Sequence, residues 1–81
     1  MIKLAKESKL APAEAIKQAV AFFGPKGYSL KVVDECDTSA SFEGGGGSVI
    51  VEACENKGGS SVDVQAVEWE IQAKDFIAKL K

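Results

Sequence analysis

Phe42-Glu43-Gly44-Gly45-Gly46-Gly47-Ser48-Val49-Ile50-Val51 is the stretch that decides how this chain is read. Apolar and polar residues alternate up to the glycines, and the alternation resumes after them. A period of two sends successive side chains to opposite faces of a strand. Glycine accepts the backbone angles of a tight reversal. The stretch therefore reads as strand, turn, strand.

Working outward, the same logic covers Tyr28 to Trp69 as four short strands in an antiparallel meander. Tyr28-Ser29-Leu30-Lys31-Val32 alternates, and this strand is expected to run to about Cys36. Asp37-Thr38-Ser39 is a turn, and Ala40-Ser41-Phe42 leads into the glycines. Asn56-Lys57-Gly58-Gly59 makes the next reversal. Val62-Asp63-Val64-Gln65-Ala66-Val67 is the last strand. On the N-terminal side, Ile2-Lys3-Leu4-Ala5-Lys6 alternates weakly and reads as an edge strand whose lysines discourage stray pairing.

Two helices complete the pattern. Pro12 suits a first helical position, and Glu14 places a carboxylate in the first turn. Ile16, Ala19, Val20 and Phe23 then form a stripe with helical spacing. Gly24-Pro25 is expected to end that helix, with glycine as a left-handed cap. A closing helix is expected from Glu68 or Trp69, with Trp69, Ala73, Phe76, Ile77 and Leu80 on one face. Glu70 with Lys74, and Asp75 with Lys79, are favourable neighbours along it.

The order is thus β-α-β-β-β-β-α, an α+β fold with two helices packed on one face of an antiparallel meander sheet. Residues 1–81 make a single domain, too short to bury more than a modest core. The expected inner face collects Tyr28, Leu30, Val32, Ala40, Phe42, Val49, Val51, Ala53, Val62, Val64 and Ala66.

This element order resembles a reduced helix-grip fold, as in START-like and Bet v 1-like lipid-binding domains, or half of a TATA-box-binding-protein-like fold. The resemblance spans the whole chain and rests on the order of elements. No motif carries a functional residue across. It implies a small apolar ligand held between the sheet and the C-terminal helix.

Composition narrows the chemistry. Histidine and arginine are absent, and all ten basic residues are lysine. The commonest general base near neutral pH is therefore missing. So is the side chain best suited to bidentate contact with phosphate or guanine. Ser8, Ser39, Ser41, Ser60 and Ser61 have no histidine to activate them. Cys36 and Cys54 lack zinc-site spacing. They are expected as free thiols on strands separated by a third, facing opposite ways. The glycines precede a strand, not a helix, and no Gly-Lys-Ser/Thr follows, so they do not make a phosphate loop. Four glycines nevertheless exceed what a turn requires, which leaves room for a close partner. Trp69 is expected to plug one end of the core. No enzyme, no cofactor and no metal site are expected.

The net charge of −2 conceals a division. From Asp34 to Glu70 there are nine acids and one lysine, a balance of −8. The remainder has nine lysines and three acids, a balance of +6. An acidic sheet argues against nucleic acid as a partner. With four-residue loops in both long hairpins, Ser41 faces Ile50, Ile50 faces Gln65, Ser48 faces Val67, and Glu52 faces Asp63. The inner side then matches Val51 with Val64 and Val49 with Ala66, so the register is self-consistent. Two acids in direct cross-strand opposition repel. The outer face is expected to carry Glu35, Glu43, Glu52 and Asp63 among Val33, Ile50 and Val67.

The expected function is a small non-catalytic interaction module using Glu35, Glu43, Ile50, Glu52, Asp63 and Val67. Its partner would be a basic protein surface or a second copy in a homodimer. The alternative is a binding protein for a small apolar ligand between sheet and C-terminal helix. No apolar run approaches the ~18 residues of a membrane span. The N-terminus lacks the hydrophobic block of a signal peptide, so a cytoplasmic location is the expectation.

Overall fold

The computed structural model describes residues 2–24 and 27–80. Five strands and two helices follow in the order β1 (Ile2–Ser8), α1 (Pro12–Phe23), β2 (Lys31–Glu35), β3 (Ser39–Gly44), β4 (Gly47–Asn56), β5 (Gly59–Val67) and α2 (Glu70–Lys79). The strands form one antiparallel sheet in the spatial order β1-β5-β4-β3-β2. The N-terminal strand thus returns beside the last one, and β1 and β2 are the two edges.

The register of the meander is the one read from the sequence. Ser41 pairs with Ile50, Val49 with Ala66, Val51 with Val64 and Glu52 with Asp63. The loops are tighter than expected, because Gly44 pairs with Gly47 and Asn56 with Gly59. Two residues reverse the chain in each hairpin, and the flanking pair joins the ladder without shifting it. Gly45 and Gly46 both have positive φ (58° and 83°). This is the turn whose twist matches that of the flanking strands.

Both helices lie on the inner face. Alternate strand residues there (Ala40, Phe42, Val49, Val51, Ala53, Val62, Val64 and Ala66) are buried, and they meet Ala15, Ile16, Ala19 and Phe23 of α1 and Ala73 and Phe76 of α2. Aromatic rings fill the layer between. Phe23 lies 5.0 Å from Phe22, 5.6 Å from Phe42 and 5.4 Å from Phe76, centroid to centroid. At such separations, tilted and edge-on rings add to simple area burial.

Several local expectations are corrected. Tyr28 is not an inner-face strand residue; it is 41% exposed and precedes β2. The cause is Ser29, whose φ of 64° breaks the extended run. The amides of Gly27 and Ser29 both donate to the Gly24 carbonyl, so the chain loops before the strand starts. Gly24 itself is extended (φ −73°, ψ −166°) and is not a left-handed cap. Glycine is needed there because a Cβ would overlap the Val20 carbonyl oxygen. Pro25, read as the block to further helix, lies outside the described residues. Helix α2 starts at Glu70 because Glu68 has a φ of 68°, which no helix accommodates. Asp75 and Lys79 do not pair; the Lys79 ammonium sits 5.6 Å from the centroid of the Phe22 ring.

Lys6 also has a different role from the one its edge position suggested. It pairs with Val62 and therefore points inward. Its ammonium donates to the carbonyls of Ile77 (3.0 Å) and Leu80 (2.6 Å) at the end of α2. The last carbonyls of a helix have no intrahelical donor, and the helix dipole favours a cation there. Lys6→Met keeps the aliphatic stem and removes both bonds. It is expected to cost about 1–2 kcal/mol of stability and to raise amide exchange in the last turn of α2. An unchanged urea midpoint would contradict this assignment.

Two buried serines have a comparable structural use. The Leu10 amide donates to Ser8 Oγ (3.1 Å), and Ser60 Oγ donates to the Leu10 carbonyl (2.9 Å). Together they fix the link from β1 into α1.

Candidate functional site

The outer sheet face carries the candidate site. Alternation puts Lys3, Ala5 and Glu7 of β1 there, with Ser61, Asp63, Gln65 and Val67 of β5, Ser48, Ile50, Glu52 and Cys54 of β4, and Ser39, Ser41 and Glu43 of β3. Both helices pack on the opposite side, so among the described residues no element covers this face.

Across the face the residues lie in rungs. Glu43, Ser48 and Val67 form one, closed by Lys31 on β2. Ser41, Ile50, Gln65 and Lys3 form the next. Ser39, Glu52, Asp63 and Ala5 form a third. Three large apolar side chains stand in the open, Val33 at 54% exposure, Ile50 at 38% and Val67 at 37%. They floor a shallow open groove bordered by Ser41, Glu43 and Gly46. Glu52 and Asp63 face each other across the β4–β5 ladder, and among the described residues neither has a lysine within ion-pair distance.

Five of the six residues expected on this face are there: Glu43, Ile50, Glu52, Asp63 and Val67. Glu35 is not. The register between β2 and β3 shifts between Val32 and Asp34, so that Asp34 pairs with Ser41 and Glu35 with Ala40, a core residue. A β-bulge inserts one residue and reverses the alternation beyond it. Asp34 thus takes the outer-face place assigned to Glu35. Glu35 stays exposed, at a margin of the inner side that the helices leave open. The signal for the bulge was the doublet Val32-Val33, two apolar residues where strict alternation allows one. Lys31, at a strand end, was also missed as an outer-face residue. Cys36 and Cys54 are free and exposed. The bulge removes the argument that placed them on opposite faces.

The surplus of glycines is explained from within the molecule. Trp69, the residue before α2, donates its indole N–H to the Gly44 carbonyl (2.8 Å). A Cβ on Gly45 would come within 2.9 Å of the Trp69 ring, and one on Gly47 would overlap the Val67 carbonyl oxygen. The close partner is therefore the β5–α2 junction, which props the hairpin from beneath. The Trp69 ring also lies 5.9 Å from that of Tyr28, centroid to centroid and tilted against it, so the expected plug at this end of the core is present.

Among the described residues, no three histidine, cysteine, aspartate or glutamate side chains converge as metal ligands. No helix among them is long and apolar enough to cross a membrane. What this face can do chemically is attract cations and cover apolar surface at the same time. Neither family models, nor curated proteins, nor solved structures yield a match to the chain, so its functional reading rests on this geometry.

Proposed function

We propose that this domain is a non-catalytic interaction module whose outer sheet face docks a lysine-rich protein surface. The observation that supports the reading is the sidedness of the fold. Both helices cover one face, while the other leaves Val33, Ile50 and Val67 open among Asp34, Glu43, Glu52 and Asp63. Large apolar residues exposed side by side on a sheet mark interaction surfaces. The surrounding carboxylates select a cationic partner and speed its approach. The aliphatic stem of a lysine can lie on the valines while its ammonium reaches an acid. A second copy laid face to face would set acids against acids, which disfavours that mode of homodimer.

The strand order and the two helices on one face support reading the domain as a reduced helix-grip fold. The aromatic rings that fill the layer between sheet and helices favour a docking face over an enclosed apolar ligand.

The test is an NMR titration of the full chain with a synthetic peptide alternating lysine and valine, at low and at physiological salt. Amide shifts are expected at Ser41, Ile50, Glu52, Asp63 and Gln65, weakening as salt rises. Asp63→Asn should weaken the binding severalfold. In the free domain it should change stability by a few tenths of a kcal/mol in the stabilising direction, because it relieves the opposition to Glu52. Clear destabilisation by Asp63→Asn would mean that Asp63 has a structural partner, and the reading would lose its main support. Shifts confined to Phe42, Phe76 and Ala73 on adding an apolar dye would favour the enclosed-ligand alternative.

A further inference from the structure

The two edges of the sheet are not equally protected. Strand β2 is short and bulged, and it presents Asp34 and Glu35. Bulges and charges are the usual guards of a free edge. Strand β1 has neither proline nor bulge, and its seven residues stay in unbroken register with β5. Lys6, which looked like a guard, points inward and is engaged by the end of α2.

The ladder pattern identifies which groups β1 leaves free. The Ala53 amide donates to the Thr38 carbonyl, so odd-numbered residues of β4 bond towards β3. Its even-numbered residues therefore exchange bonds with Ser61, Asp63 and Gln65 of β5. Val62, Val64 and Ala66 then bond to Lys6, Leu4 and Ile2. That leaves the N–H and C=O groups of Lys3, Ala5 and Glu7 aimed out of the sheet.

We infer that two copies of this chain pair antiparallel through these free edges, centred on Ala5, to make one continuous ten-stranded sheet. In that register Ala5 faces Ala5 of the second copy across the two-fold axis, and each Lys3 faces Glu7. All three rungs are hydrogen-bonding rungs, because every residue in them carries outward groups. The charges on the outer face are complementary at both ends, with a small side chain on the axis. Opposite charges directly across a ladder stabilise the pairing. A one-residue slip would set residues that bond to β5 against the new partner, and a two-residue slip would lose the charge match.

Helix geometry permits the arrangement. Helix α2 packs on both β1 and β5, above the boundary between them. At ~4.8 Å per strand, the two α2 helices would stand about 10 Å apart across the axis, near the upper end of the 8–10 Å at which helices pack. The two outer faces would join into a single surface. This inference stands apart from the docking reading: it concerns the edge, and either can fail without the other.

The test is the mass of the full chain in solution by sedimentation equilibrium from micromolar to millimolar concentration. A monomer–dimer equilibrium is expected. Ala5→Pro removes an amide that β1 does not use within its own sheet, a position where proline is tolerated; it should abolish the dimer and leave the monomer folded. Should that variant fold poorly, charge reversal decides. Lys3→Glu and Glu7→Lys should each weaken dimerisation about tenfold, and the double variant should restore it. A strictly monomeric chain at millimolar concentration overturns the inference. So does a dimer indifferent to all of these changes, since it would use another surface.

Discussion

Phe23→Ala is expected to remove a large part of the stability of this domain and to lower its urea midpoint steeply. Phe23 is fully buried at the end of α1, and its ring touches those of Phe22, Phe42 and Phe76. It is therefore the point at which α1, the sheet and α2 meet. Removing a buried phenylalanine side chain typically costs about 3–5 kcal/mol, part of it from the cavity left behind. A domain of 81 residues has a total stability of about 4–12 kcal/mol. The neighbouring rings belong to three different elements and cannot all collapse into the gap without breaking the sheet register. Urea titration followed by circular dichroism measures the effect. A loss below about 1 kcal/mol would show that the aromatic layer repacks, contrary to the close-packed interior described above.

Trp69→Ala is expected to have the second-largest effect, a loss of about 2–4 kcal/mol, and to loosen one part of the sheet more than the rest. Trp69 is half-buried, so the lost burial is smaller than at Phe23. It also takes away the indole donor to the Gly44 carbonyl and the surface on which Gly45 rests. Amide hydrogen exchange should therefore accelerate first from Gly45 to Val49, at one end of the candidate site. Trp69→Phe separates the two contributions. It retains most of the ring and loses the N–H, so about 1 kcal/mol of the loss should remain. Uniform acceleration across all five strands in Trp69→Ala would mean that Trp69 stabilises the core as a whole and does not specifically prop the hairpin. The outer face would then owe its shape to the sheet alone.

Both results bear on function through the same chain of causes. The outer face is usable because the inner face is packed by helices and because the β3–β4 hairpin is held from beneath. Local propensity contributes little rigidity to a glycine hairpin, since glycine gains no side-chain contacts and loses the most backbone entropy on folding. Tertiary support is what makes this hairpin a defined edge for the groove.

The candidate site was mostly legible in advance, and the reasons are local. Ser41, Ile50 and Gln65 could be aligned because side-chain direction has a period of two, and because Gly45-Gly46 and Lys57-Gly58 reverse the chain without changing the count. That count also set Glu52 opposite Asp63. Glu35 was misplaced because one unpaired residue reverses the alternation. Whether Val32-Val33 forms a bulge or merely ends a strand depends on its pairing with Ser41 and Phe42.

By itself, then, the sequence determined the α+β class, the order of the elements, the register of the meander and the acidic, apolar character of its outer face. Each follows from periodicity or from the conformational range of glycine, which act over a few residues. Tertiary structure alone decided the bulge in β2, the left-handed backbone at Ser29 and Glu68, the prop under the glycine hairpin and the cap on α2. The cap joins Lys6 to Leu80 and the prop joins Gly44 to Trp69. Contacts between residues so distant in sequence carry no periodic signature, because they arise only when separate elements are brought to the same place by burial of the shared core.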